Sequence, residues 1–225
     1  MSVAYNPSIV TSGMLMCLDA ANVKSYPGSG TTVTDIAGNG YTGTLVNAPT
    51  FSSSNQGGIA FNGSTQYMSI AQNTPTLNQI SVELVCNMGA PSPNVSGFLI
   101  GRSSSYRFLY STGDFSWVCS TTNNGWYTTG TTCSITATPS NWNHVVGTYD
   151  GSNLRIYLNG VLANTNGSAI SGSVTGGSNL QMMQSDAGNV SYGNGTIAVA
   201  RIYDTALSAA NIKQNFNAVR GRYGI

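Results

Sequence analysis

The sequence predicts an all-β protein: two large antiparallel sheets packed face to face, with one short helix near the C-terminus. Three observations lead there. Turn residues recur roughly every 8–12 positions from end to end, with no stretch that reads as a linker between two units. Only 7% of the 225 residues are charged, while Gly numbers 27 and Ser, Thr and Asn make up about a third of the chain, a mixture typical of many-turned β proteins. Only one segment carries the apolar spacing of a helix.

Short β-rich runs fall at 13–19, 43–46, 58–62, 66–70, 80–88, 97–102, 106–111, 115–120, 132–137, 143–149, 154–158, 161–165, 179–184 and 196–203. They are too many for an immunoglobulin-size module and suit two large packed sheets. The clearest stretch is 142–161. Asp150-Gly151 and Asn159-Gly160 mark tight turns, and Leu154, Ile156 and Leu158 alternate with Arg155, Tyr157 and Asn159. One face should enter the core while the other stays wetter. The helix should start after Ser208 as N-cap and run over 209–219, with Ile212, Phe216 and Val219 forming one apolar stripe. Arg220 and Arg222 then lie where the helix dipole favours positive charge. Residues 1–12 read as an N-terminal arm and 13–225 as a single domain.

Charge excludes several function classes. Eight Lys and Arg against seven Asp and Glu give a net charge of +1, so neither nucleic acid nor a polybasic membrane patch is expected. With 40% hydrophobic residues the chain is not disordered by charge repulsion. The opening Met1-Ser2-Val3-Ala4-Tyr5-Asn6-Pro7 lacks the n- and h-regions of a secretory signal, and no apolar run is long enough to span a membrane. Cys17, Cys86, Cys119 and Cys133 form no C-x-x-C pair. The first two lie in apolar strands as small buried thiols; the last two flank a Gly-containing hairpin-like segment, and their pairing is left open.

An ordered set of segments then narrows the reading. It comprises Leu18-Asp19-Ala20-Ala21-Asn22, Ser25-Tyr26-Pro27-Gly28-Ser29-Gly30, Asp35-Ile36-Ala37-Gly38-Asn39-Gly40 and Gly57-Gly58-Ile59-Ala60-Phe61-Asn62-Gly63 with Tyr67. The meander from Trp142 to Gly160 follows, then Ile202-Tyr203-Asp204 and Ala206-Leu207-Ser208. In this order the chain resembles a laminin G-like domain of the concanavalin A-like lectin/glucanase superfamily, in the variety common among tailed-phage structural proteins. The resemblance implies a jelly-roll sandwich of two curved antiparallel sheets. Fold alone does not assign function.

The resemblance also frames the chemistry. Laminarinase-type relatives carry a Glu-x-Asp-x-x-Glu strand, whereas this chain has one glutamate, in Glu83-Leu84-Val85-Cys86-Asn87; a two-carboxylate glycosidase mechanism therefore lacks its second group. The sole histidine, His144, lies in a Trp-x-His pattern that the family uses structurally. No catalytic activity is expected. Calcium occurs in many relatives, but Asn62 and Gln66 stand where those often carry aspartate, so a cation site is disfavoured and no cofactor is expected. Asp19, Asp35, Asp150 and Asp204 are expected to serve turns and strand ends.

For ligand recognition, aromatic platforms among amides and hydroxyls concentrate at Tyr106, Tyr110, Trp117, Trp126 and Tyr127. Trp126-Tyr127 follow an Asn-Asn-Gly turn and should sit at a loop tip, whereas Trp117 has a strand pattern that suits the core. Two functions follow. The first expectation is a non-enzymatic virion structural protein, a phage capsid decoration or surface-display module made in the host cytoplasm and docked on a major capsid or tail protein. The alternative is a carbohydrate-binding adhesin, a fibre tip or bacterial lectin that recognises host surface glycans. Symmetric docking would suit a homo-oligomer, but no residue pattern fixes a number.

Overall fold

The computed structural model describes residues 8–54, 57–89, 97–102, 105–126, 128–138, 140–177, 180–185 and 191–225. In chain order the elements are β1 (Met14–Asp19), β2 (Thr32–Val33), β3 (Gly43–Val46), β4 (Thr50–Ser52), β5 (Gly58–Asn62), β6 (Tyr67–Ile70), β7 (Ile80–Met88) and β8 (Gly97–Gly101). Then follow β9 (Tyr106–Ser111), β10 (Asp114–Cys119), β11 (Thr132–Thr136), β12 (Trp142–Tyr149), β13 (Leu154–Leu158), β14 (Val161–Thr165), β15 (Leu180–Met182), β16 (Asn194–Tyr203) and α1 (Ala209–Tyr223).

Two eight-stranded sheets result, both antiparallel. The first runs β14-β13-β12-β7-β16-β5-β4, with β1 taking the half of the β16 edge that β5 leaves. The second runs β11-β10-β9-β8-β15-β6-β3-β2. Every expected strand has its counterpart. The sequence reading lacked β2 and β4, which are only two and three residues long and carry no readable period. The jelly-roll sandwich implied by the resemblance is the fold observed.

The core fills the space between the sheets by alternation. From β7, Ile80, Val82, Leu84, Cys86 and Met88 face inward; from β12, Val145 and Tyr149; from β13, Leu154 and Ile156. The second sheet answers with Tyr106, Phe108 and Tyr110 from β9 and Phe115, Trp117 and Cys119 from β10. Trp117 donates its indole N–H to the Thr148 carbonyl at 3.2 Å, which ties the two sheets together. Its partner across the gap is Gly147, where a Cβ would lie 2.4 Å from the indole. Only glycine lets the ring approach this closely.

The outer face of the first sheet is covered by α1. Ser208 caps it as expected, its hydroxyl accepting from Asn211 N–H at 3.2 Å, and Gly224 ends it in the left-handed conformation at φ 69°. Ile212, Phe216 and Val219 are buried as the stripe required. The helix runs four residues beyond its expected end, so Arg220 and Arg222 occupy its last turn rather than the segment beyond. Tyr223 extends the buried stripe and draws the extra turn onto the sheet, packing with Val85, Val199 and Val219. No helix among the described residues is long and apolar enough to cross a membrane.

Candidate functional site

The five aromatic residues singled out from sequence do not form one surface. Tyr106, Tyr110 and Trp117 are 1%, 3% and 0% exposed and stand in the inter-sheet core. This corrects their expected part in a binding platform and agrees with the core position that the strand pattern of Trp117 suited. They share the inward parity of Phe108 and Phe115, and their rings stack on one another, Phe108 against Trp117 at 5.0 Å and Tyr110 against Phe115 at 4.9 Å. Trp126 is half-buried beneath the Arg107 guanidinium, 4.3 Å from its ring centroid. Tyr127 lies outside the described residues.

The single glutamate and single histidine meet in a buried network under α1. Glu83 Oε1 accepts from His144 Nε2 at 3.0 Å and from Arg201, while Oε2 accepts from Asn215 Nδ2 at 2.7 Å and from the Tyr203 hydroxyl at 3.3 Å. Burial pushes the Glu83 carboxyl up. The Arg201 guanidinium, with His144 and Asn215 hydrogen bonds, outweighs that and holds it down at about 2. An ionised carboxylate only accepts, so His144 donates from Nε2, and its Nδ1 has no partner. Both residues are fully buried, so the pair anchors the helix and presents no group to a ligand.

Asp19, Asp35 and Asp150 serve the backbone. Asp35 accepts from the N–H groups of Cys17, Ala37, Asn39 and Tyr41 at 2.9–3.2 Å, pinning its loop to β1. Asp150 accepts from Ser152 and Asn153 N–H and pairs with Arg155. Asp19 is held by Arg222 at 3.0 Å. Asn62 and Gln66 close the β5–β6 turn: Asn62 Oδ1 accepts from three N–H groups, and Gln66 Oε1 returns a bond to Asn62 N–H. No cluster of three or more His, Cys, Asp or Glu able to hold a metal occurs among the described residues.

Two clefts flank the C-terminal half of α1. One, about 520 Å³, lies toward β1 and contains Asp19, Arg201 and Arg222; its positive groups are already matched by Asp19 and Glu83. The other, about 550 Å³, opens between the β11–β12 connection, the β13–β14 turn and the end of the helix. Trp142 supplies its aromatic wall. The indole is half-buried and backed by Tyr223, with ring centroids 4.7 Å apart and planes at 38°.

Local structure fixes the rest of that wall. The Asn159-Gly160 turn takes φ 50° and 75°, the two positive angles expected for a two-residue hairpin. Asn159 Oδ1 accepts from His144 N–H at 3.0 Å, locking the turn to β12. Ser140 N–H donates to the Met88 carbonyl and Asn143 Nδ2 to the Asn141 carbonyl, which holds the opposite lip. The side chains of Thr136, Thr138 and Asn141 stand exposed along it. An indole face bordered by hydroxyls and amides can cover the C–H surface of a small polar ring while exchanging neutral hydrogen bonds with its substituents. The sequence reading passed over Trp142 because it belonged to the recognised meander. Its adjacency to Asn141 and Asn143 was the available signal.

A laminin G-type family model, described as the concanavalin A-like lectin/glucanases superfamily, matches residues 62–213. The chain belongs to this superfamily. No curated protein matches its sequence. Solved structures with similar sandwiches include domain 4 of AbnA, a GH43 extracellular arabinanase from Geobacillus stearothermophilus, in complex with arabinotriose. There the identity is 13%, the TM-score 0.65, and 91% of this chain overlays 98% of that one. The binding domain of botulinum neurotoxin DC in complex with SialylT overlays with TM-score 0.67 and 12% identity, covering 93% of this chain and 52% of the toxin chain. The botulinum neurotoxin type G receptor-binding domain gives 0.68 and 13%, with 91% and 51% covered. The chain thus spans about half the length of the toxin domains. At these identities the likeness speaks to the fold alone.

Proposed function

We propose that this superfamily member is a non-catalytic glycan-binding module and that the Trp142 cleft is its sugar-binding surface. The observation that carries this reading is a half-exposed indole set among uncharged amide and hydroxyl side chains in an open cleft of about 550 Å³, a size within the usual range for small ligands. Support comes from the AbnA domain seen with arabinotriose and the toxin domain seen with SialylT, which share the sandwich. The single glutamate supports a binding rather than a hydrolytic role, since it is consumed in the buried network with Arg201 and His144 and a glycosidase needs two accessible carboxyl groups. Docking on a capsid or tail lattice rests on the phage-like order of sequence segments and the sparse charge of the chain, and the cleft makes glycan recognition the preferred reading. A glycan array on the purified protein tests it. Specific retention of a sugar class supports the module; silence with folded protein returns the question to a protein partner.

A further inference from the structure

On the glycan reading, we infer that the Trp142 cleft takes an uncharged oligosaccharide and recognises it without a bridging cation. None of the described side chains lining the cleft carries a charge. Lys213 and Arg220 lie over the Phe216 ring, 4.8 and 6.0 Å from its centroid, and two further charged groups near the helix are matched by partners. The Arg222 guanidinium lies 4.9 Å from the Tyr223 ring centroid and is held by both carboxylate oxygens of Asp19. Glu83, beneath the sheet surface, accepts from Arg201, His144, Asn215 and Tyr203.

An acidic sugar entering here would shed water from its carboxylate or sulfate without meeting a guanidinium or ammonium, and that desolvation is unfavourable. A neutral sugar meets what the walls provide. Its apolar face lies against Trp142, and its hydroxyls meet the side chains of Thr136, Thr138 and Asn141, which both donate and accept. The described side chains of the lining include none of the carboxylates with which a calcium ion is normally held against a sugar. The net charge of +1 provides no long-range field to gather acidic glycans. Salt should therefore matter little.

The test compares neutral oligosaccharides with sialylated, uronic-acid and sulfated ones by calorimetric titration, at low and high salt and with or without chelator. Wild-type protein, Trp142→Ala and Asn141→Lys are used, each checked by thermal melting. Asn141 is exposed, so its replacement preserves the fold even if Trp142→Ala does not. The expected result is binding of neutral sugars only, unaffected by chelator and changed less than about twofold by salt. Trp142→Ala should weaken it at least about tenfold. Asn141→Lys should add salt-sensitive binding of acidic sugars. Preference of the wild type for acidic sugars, or loss of binding in chelator, overturns the inference and leaves the glycan reading standing. Absence of binding to either class by folded wild type overturns both.

Discussion

The side-chain amide of Asn215 on α1 donates to Glu83 Oε2 on β7 at 2.7 Å, joining the helix to the middle of the first sheet across 132 positions of sequence. The same amide reaches the Tyr203 hydroxyl at 3.0 Å, and Asn215 Oδ1 accepts from Val10 N–H at 2.8 Å. One buried side chain therefore links the segment before β1, the central strands and the helix.

Removing the Glu83 charge should strand the Arg201 guanidinium. Glu83→Ala is expected to cost about 3–5 kcal/mol, the usual result of breaking a buried ion pair from one side. Denaturant unfolding measures it. A loss below about 1 kcal/mol would mean the network contributes little beyond packing.

The same group sets an acid limit. The Glu83 carboxyl is depressed from 4.5 to about 2, so its contribution is fully present above the unfolded value. It is lost as pH falls from about 4.5 toward 2. Stability measured across that window should fall less steeply in Glu83→Gln than in the wild type. Equal slopes would show that other carboxyl groups control acid unfolding.

Asp35 gathers four backbone N–H groups. Asp35→Ala leaves them without their acceptor and should cost at least about 2 kcal/mol, whereas Asp35→Asn, which keeps one acceptor oxygen, should cost less. Thermal melting of the two variants orders them.

All four cysteines are buried and free. Burial pushes the Cys86 thiol up to about 12 and Cys133 up to about 11, and raises Cys17 and Cys119 as well. Cys133 stands opposite Trp117, while Cys119 N–H bonds to the Thr131 carbonyl, so the two cysteines are diagonal rather than facing. Native protein should resist a thiol reagent, and denatured protein should titrate four thiols. Two titrated thiols would reveal a Cys119–Cys133 disulfide.

What was legible in the sequence is what local chemistry decides. Alternation of Leu154 and Ile156 with Arg155 and Tyr157 marks the two faces of β13, and Asn159-Gly160 marks the following turn, because side-chain period and positive φ are properties of a few adjacent residues. The candidacy of Tyr106 and Tyr110 for a binding platform had a local remedy, since Phe108 shares their parity, as Phe115 shares that of Trp117, whose strand pattern already suited the core. The Trp142 cleft had none. It exists only where the end of α1 brings Tyr223 beside β12 and the β13–β14 turn closes the rim, and no single segment records that meeting.

The most direct measurement of the account is titration of a mixed oligosaccharide panel against wild-type protein, Trp142→Ala and Trp126→Ala, with folding verified for each. The account predicts that Trp142→Ala loses binding at least about tenfold while Trp126→Ala, on the opposite sheet's loop, keeps it. Loss of binding in Trp126→Ala with retention in Trp142→Ala would place the site elsewhere and contradict the account.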